Sequence, residues 1–585
     1  MIIPSLITIF QYFAPGLIIL IFTRLRFNIV QKVVLSFTLS QIVNFVLVFS
    51  LTYFKYYNLE NLYIAVGAEV LILAYCYFKN ILFDNVSFND RYKNLEQIAS
   101  KPFGKLSIML SAFSLLLVII LMANKAGAIF DGWDPVFSWN RWAVSFFNNS
   151  LPQGMMHYPQ LIPANWSVAY VFLSKPLQFL PKLIMPIYLL FILISLFDIA
   201  LIEKSAGVMF GLIITLYIFI SARVSFEGYV DTPVAFFVFQ SLYLLFLSNK
   251  ENNGKNGTTY LILGGAVAAG AAVTKQAGLF LVVLYPILSW VMVVNKRKIF
   301  TQNQKITMLA TYVLFIVIII APFYVYANQQ ISTGHSVSEI KWVTNGIYGN
   351  KGMGQRFVDA VALLNTLVRV PYLICILVPI FIYSLKEKKI RAISFLVTIP
   401  FFFIWAFYFS YDLRNLSIVY PLIALNLGIG IYNICKIVAV KIPSKKIEYF
   451  FASVSVFGIV FFARQADKKY AITYYEAVQT KLEKQICLPR LNELLYNYEC
   501  HNGIHGNIAS DYPILDYLPE LKNYAVPYTL NSVSNNNVAF ALIRDNDYNK
   551  GVINKLISES KVSKVSLIFY YSDINDYKYY FFKLR

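Results

Sequence analysis

Charge is scarce in this chain. Asp, Glu, Lys and Arg make up 14% of its 585 residues, against 58% hydrophobic and 17% aromatic residues, and the mean hydropathy is +0.59. So little charge cannot clothe a water-soluble domain of this length, and the balance is that of a chain whose main solvent is lipid. Acidic residues are scarcer than basic ones, 30 against 50. In a membrane chain such an excess of Lys and Arg belongs to cytoplasmic loops, so the formal charge of +20 is no footprint of nucleic acid, and none is expected as a partner. Histidine and cysteine are rarer still, four and five residues, and they do not cluster at zinc-ligand spacing. No metal site and no cofactor is therefore expected. A divalent cation among the outer aspartates is compatible with the sequence but not required by it.

What is abundant is long apolar runs. They lie near residues 3–23, 30–54, 61–82, 105–123, 183–202, 205–222, 232–248, 258–274, 278–294, 307–326, 367–385, 392–410, 415–434 and 447–463. At about 20 residues per crossing they predict about fourteen transmembrane helices, an all-α polytopic membrane protein. The first run lacks a basic start and a small-residue cleavage site, so it reads as a helix rather than a signal peptide. The basic loops "RLRF", "RYKNLEQIASKPFGK", "NKENNGKNGT", "NKRK", "KEKKIR" and "KIPSKK" fall on one side, the cytoplasm, provided the short run from Leu161 to Leu173 does not cross. With Pro163, Asn165 and Trp166 inside it, that run reads as a helix lying at the outer surface.

This topology puts five polar segments outside: "FDGWDPVFSWNRWAVSFFNNSLPQGMMHYPQLIP" (130–163), "RVSFEGYVDTP", a long connecting loop from about 327 to 366, "YDLRN" and the tail after Ala463. Wet loops are polar anyway. The first segment is unusual in mixing charge with Trp133, Trp139, Trp142, Phe146 and Phe147, as an amphipathic helix at the headgroup level does. Asp134 before Pro135 suits a helix cap, and so does Asp231 two residues before Pro233. Yet a carboxylate at the membrane boundary, with Arg141 and His157 close in sequence, is also suited to take a proton from a hydroxyl presented from water. Lys275 and Arg414 stand at outer helix ends, where basic residues either snorkel or meet an anion. Glu69 and Asp198 interrupt apolar runs and rank below these. Asp198 stands close enough to the cytoplasmic end to reach water.

"WDPVFSWNRWA" followed by "HYPQLIP" resembles the first outer loop of C-type (GT-C fold) membrane glycosyltransferases, in particular the bacterial relatives of protein O-mannosyltransferases and lipid A aminoarabinose transferases. "FEGYVDTPVAFFVF", "GAVAAGAAVTKQAGLFLVV" and "DLRNLSIVYPLIAL" follow in the order of that family's second acidic motif, its paired helices joined at an outer Lys, and its late Arg motif. The resemblance covers about 105 to 435. It implies transfer of a sugar from a polyprenyl-phosphate donor to an acceptor hydroxyl of a cell-surface glycan, a lipid or a protein, outside the bacterial cytoplasmic membrane and with inversion. Asp134 takes the position of the family's base, with Asp131 as its rival. Asp231 takes the second acidic position. Lys275 and Arg414, with Arg141, are the candidate contacts for the donor phosphate. His157, Tyr158 and Glu227 are the candidate substrate contacts, although "HYPQL" departs from the family's His-Pro-Pro-Leu by an inserted Tyr and a Gln. A flippase of lipid-linked sugars is the alternative; it should gather polar groups at mid-membrane rather than at one face.

The expected organisation is residues 1–104 as added N-terminal helices, 105–464 as the catalytic core with its outer loop at 124–182, and 465–585 as a small extracytoplasmic α/β domain. In that tail "YYEAVQTKLEKQICLPRLNELLYNYEC" reads helical, and "NVAFALIRD" and "VSLIFYYSD" read as strands. Cys487 and Cys500 are expected to form a disulfide there, whereas Cys76, Cys375 and Cys435 read as small buried residues.

Overall fold

The structure, a computed structural model, describes residues 2–79, 81, 88–125, 130, 134–153, 158–222, 224–295, 299–332, 351–368 and 373–441, and in the tail 494, 498, 502, 507–510, 525–527, 538–544, 566–572 and 578–584. The chain divides into two compact units, Met1–Ala471 and Ile472–Arg585.

The first unit is a helical bundle and makes the chain a multi-pass membrane protein. Its helices are α1 (Ile2–Thr23), α2 (Ile29–Tyr53) and α3 (Leu59–Phe78), α4 (Phe88–Ala99) and α5 (Gly104–Lys125). A π-helical turn at Pro135–Asn140 then runs into α6 (Arg141–Phe147), which is followed by α7 (Leu161–Leu173). Next come α8 (Phe179–Glu203), α9 (Ala206–Ser221), α10 (Asp231–Lys250) and α11 (Gly254–Ala272). The last are α12 (Gln276–Val294) and α13 (Gln302–Ser332), α14 (Met353–Val368) and α15 (Leu373–Ser384), and α16 (Lys388–Phe409) and α17 (Leu413–Ile437). Among the described residues ten helices are long and apolar enough to cross a membrane. Thirteen of the fourteen apolar runs coincide with a helix; the run at 447–463 lies outside the described residues.

Two helices differ from expectation. Leu161–Leu173 does not lie exposed at a surface: every residue from Leu161 to Phe172 is buried. Several of its polar groups find partners inside the bundle. Asn165 Nδ2 donates to the carbonyl of Gln41 at 2.9 Å, the Asn165 carbonyl accepts from Tyr12 Oη at 3.0 Å, and Ser167 shares a hydrogen bond with Tyr57. In the stretch expected to be a connecting loop, α14 forms because Arg356 and Phe357 are anchored. Arg356 Nη1 donates to the Phe407 carbonyl at 3.2 Å, and the Phe357 ring lies beside Phe403 and Phe407.

The core runs through the N-terminal helices as well. A capping box at Asn28 and Gln31 starts α2, and its Phe37 packs among Tyr188, Phe191 and Phe236 of α8 and α10. Helices α9 and α17 approach backbone to backbone. A Cβ added at Gly428 would stand 2.1 Å from the backbone nitrogen of Gly211, so only glycine lets these two backbones meet. That contact fixes the helix whose first turn carries Arg414.

Asp198 is buried rather than wetted. It accepts hydrogen bonds from Asn28, Gln31 and Tyr243, the last at 2.6 Å, and ties α2, α8 and α10 together. Of the three cysteines expected to be buried, Cys76 is buried, Cys435 is half-buried and Cys375 is exposed on the outside of the bundle, where a membrane protein meets lipid.

In the second unit the sheet is mixed, in the order β2-β1-β3-β5-β4, with β1 (Asn507–Ser510), β2 (Ala525–Pro527), β3 (Val538–Arg544), β4 (Ser566–Ser572) and β5 (Lys578–Lys583). The two segments read as strands are β3 and β4. Strands β2, β1 and β3 run parallel, and β5 joins β3 to β4 by antiparallel pairing. Phe540 and Phe581 stack with centroids 5.4 Å apart on the sheet face that Tyr498 covers. Cys487 and Cys500 lie outside the described residues.

Candidate active site

Four separate chain segments meet at one end of the bundle. The loop before α10 reaches it through Gly228, whose φ of +96° belongs to the left-handed region. A Cβ there would come within 2.5 Å of Phe130 Cδ1 and 3.0 Å of Pro135 Cβ. The glycine therefore lets the "FEGYVD" loop settle on the residue next to Asp134. Thr232 Oγ1 closes that loop by donating to the Val224 carbonyl at 3.0 Å.

The turn between α11 and α12 supplies Lys275. Its shape is held from outside, because the Val273 carbonyl accepts from the Leu161 N–H at 2.9 Å and the Ala272 carbonyl accepts from Tyr324 Oη at 3.1 Å. Lys275 Nζ donates to Asp231 Oδ1 and to Asn415 Oδ1, both at 2.7 Å. Its side chain is 13% exposed and that of Asp231 is 5% exposed. This lysine points inward and is not a snorkelling anchor.

Arg414 opens α17. Asp412 Oδ1 caps the turn by accepting the Arg414 N–H at 2.9 Å, while Oδ2 accepts from Nε at 2.7 Å and Nη2 at 2.5 Å. The other side of the guanidinium donates from Nη1 to Asp134 Oδ2 at 3.2 Å, and its centre lies 4.0 Å over the ring of Tyr229. Neighbouring backbone is pinned as well: Trp405 Nε1 donates to the Asp412 carbonyl, Tyr420 Oη to the Leu413 carbonyl, and Ser417 Oγ to the Asp231 carbonyl.

Asp134 does not serve as a cap. Its backbone is already helical, at φ −61° and ψ −41°, and its carboxylate makes no capping bond. It points instead to Arg414, with 37% of its side chain exposed. Burial pushes the Asp134 carboxyl above the usual carboxylate range; Arg414 and Lys275 pull it down and the charge of Asp231 pushes it further up. Burial also lifts the Tyr229 phenol to about 12, with Arg414 opposing and the carboxylates of Asp134, Glu227 and Asp231 adding. Asp412 goes the other way, since against the upward push of burial the bonds and charge of Arg414 hold it below the usual range. The cluster thus contains one carboxylate poised to bind a proton, Asp134, beside one locked as an anion, Asp412.

Comparison with known proteins adds the following. No family model matches the sequence, and no curated protein does. Likenesses to solved structures are found at low sequence identity. One solved structure, ArnT from Cupriavidus metallidurans bound to undecaprenyl phosphate, is 13% identical, with a TM-score of 0.49 over 83% of this chain and 99% of that one. Another, the Archaeoglobus fulgidus oligosaccharyltransferase in complex with zinc and sulfate, is 12% identical, with a TM-score of 0.45 over 80% of this chain and 72% of that one.

Of the residues singled out in the sequence, Asp134, Asp231, Lys275 and Arg414 come together. Glu227 is half-buried beside them and acts on Tyr229 through its charge. Tyr158 packs its ring against Trp139 and Trp142, with centroids 5.3 and 6.1 Å away, and so forms part of an aromatic wall. Arg141 starts α6 with an exposed side chain. Asp131 and His157 lie outside the described residues. Among the described residues no group of three or more His, Cys, Asp and Glu side chains could hold a metal ion. Sequence reasoning passed over Asp412, Asn415 and Tyr229. The first two sit inside the "DLRN" motif already quoted, where an Asp two residues before an Arg at a helix start is a readable cap signal. Tyr229 has no such local signal, because its partner is on another helix.

Proposed function

We propose that this chain is a glycosyltransferase that takes a sugar from a polyprenyl-phosphate donor and passes it, with inversion, to an acceptor hydroxyl on the outer side of the bacterial cytoplasmic membrane. The observation that carries this reading is the state of Asp134: a carboxylate with no capping duty, biased towards binding a proton and held by a guanidinium that is itself oriented before any substrate arrives. In the reaction the acceptor oxygen attacks the anomeric carbon and gives its proton to Asp134. The bond from that carbon to the phosphate oxygen breaks, and polyprenyl phosphate leaves with the electron pair. Arg414 and Lys275 lie where fixed positive charge can offset the charge growing on the phosphate, in a site where no solvent dipole has to turn first. Asp231 and Asn415 hold the Lys275 ammonium, and Asp412 and Tyr229 hold the guanidinium.

The location of the cluster favours an enzyme over a flippase. Asp231 starts α10, Lys275 stands between α11 and α12, and Arg414 starts α17. All are helix ends, the level at which a lipid phosphate sits, and not mid-membrane positions. The chemistry fits a hexosyl or pentosyl donor, and a glycan, lipid or protein acceptor of the cell envelope. The bilayer is the third partner, and the reading places the C-terminal unit outside the cytoplasm.

The test is sugar transfer by the purified full chain in proteoliposomes, supplied with a panel of polyprenyl-phosphate sugars and membrane extract as acceptor. Wild type should transfer one of them, Asp134→Asn should lose at least about 100-fold, the usual size of a general-base contribution, and Asp131→Asn should keep most activity. Full activity in a folded Asp134→Asn protein would remove the carboxylate from the mechanism. Movement of the donor across the bilayer without transfer would replace the enzyme by a flippase.

A further inference from the structure

At the opposite ends of the helices that carry Lys275, a crevice of about 270 Å³ opens between α11, α12 and α13. Its walls are apolar, with Leu261, Tyr285, Pro286, Leu309 and Phe315 among them. In its wall Tyr312 packs onto Gly265 of α11, where an added Cβ would press to 2.9 Å from Tyr312 Cδ2, and Pro286 and the π-helical segment Trp290–Val294 break the regular surface of α12. Its one charged lining residue, Lys305, is near one end. There Gln302 starts α13, and Lys305, half-buried, holds its ammonium 5.4 Å over the exposed ring of Trp290. No carboxylate among the described residues pairs with Lys305. The "NKRK" run between α12 and α13 predicts that this end faces the cytoplasm.

We propose that this crevice is a binding site for an anionic phospholipid of the inner leaflet, with a stretch of acyl chain between the three helices and the phosphate on Lys305. Two features fit that occupant and no water-soluble one. The cavity is apolar and opens beside exposed Ile306, Leu309 and Trp290, a face that only hydrocarbon covers in a membrane. Its mouth carries a cation without a counter-ion among the described residues and a Trp at headgroup level, the pairing that receives a lipid phosphate. The site is separate from the Asp134 cluster and does not depend on the function proposed for it.

The experiment is native mass spectrometry of the full chain released from nanodiscs of equal phosphatidylglycerol and phosphatidylcholine. The wild type should retain phosphatidylglycerol about fivefold over phosphatidylcholine, the preference that one lysine near the surface supplies, and Lys305→Gln should bring the ratio to one. Gly265→Leu, which fills the crevice, should reduce retention of both lipids while Lys305 is still present. Equal retention of the two lipids by the wild type, or an unchanged preference in Lys305→Gln, overturns the proposal. An unfolded Gly265→Leu protein would leave the Lys305→Gln comparison, on a half-buried residue at the rim, to decide it.

Discussion

The pair formed by Lys275 and Asp231 allows the sharpest test of how the site is held. The two side chains meet at 2.7 Å and are 13% and 5% exposed, so each charge depends on the other. Replacing Lys275 with Met leaves a buried carboxylate without its counter-charge, which costs about 3–5 kcal/mol. Asn415 cannot compensate, since the atom it offers to Lys275 is an acceptor. Replacing Asp231 with Asn is milder. The amide oxygen still accepts from Lys275, and Asn415 still holds the ammonium, so the loss is that of a weakened charged hydrogen bond, about 1–3 kcal/mol. The double variant removes both charges and should be less damaged than the two losses added together, by at least about 1 kcal/mol of coupling. The assay is the denaturation midpoint of all four proteins in one detergent, read both by tryptophan fluorescence and by retention of the monodisperse peak, with the four compared as a cycle. Additivity within about 0.5 kcal/mol would refute the reasoning. So would a Lys275→Met protein as stable as Asp231→Asn.

Three further outcomes follow from the same geometry. Transfer should fall as the pH drops through an apparent value above the ordinary carboxylate range, because burial raises Asp134 and its unprotonated form is the base; since Arg414 lowers it, the residual activity of Arg414→Gln should show that acidic limb at higher pH. Tyr229→Phe keeps the ring beneath the guanidinium and should leave transfer near the wild-type rate, while Tyr229→Ala removes a contact of about 0.5–2 kcal/mol and should slow transfer by up to about 30-fold. Gly428→Leu should abolish the monodisperse peak in detergent or cost well over about 1–3 kcal/mol, the usual penalty of overpacking, because the new side chain meets backbone that has nowhere to move. A stable, active Gly428→Leu protein would show that α9 and α17 do not need to touch.

How far the sequence was legible depends on the range of the signal. Apolar runs announce helices locally, and thirteen of them could be placed before any contact was known. Strands β3 and β4 were visible through their β-branched and aromatic runs, while β1 and β2, at 4 and 3 residues, are too short to carry a pattern. Leu161–Leu173 misled because Pro163, Asn165 and Trp166 suggest a surface in one dimension, while in three Asn165 finds Gln41 and Tyr12. Asp134 and Asp231 each carry the local mark of a helix cap, and nothing local reveals that both carboxylates are used elsewhere. Arg414 could be suspected from its place at a helix end, but its seat on Tyr229 joins residues far apart in the chain, which no spacing rule detects.

That distance governs how the protein comes to exist. Asp134 and Arg414 are 280 positions apart, and Lys275 and Asn415 are 140 apart. During synthesis the first outer loop, the turn after α11 and the start of α17 enter the membrane one after another, and no partial assembly of them holds both cations against the aspartates. A nascent chain that stalls before α17 has inserted has neither Arg414 nor the packing of Gly428 on Gly211. A chain that stalls before α17 therefore has no assembled cluster, and the insertion of α17 is the step that closes it.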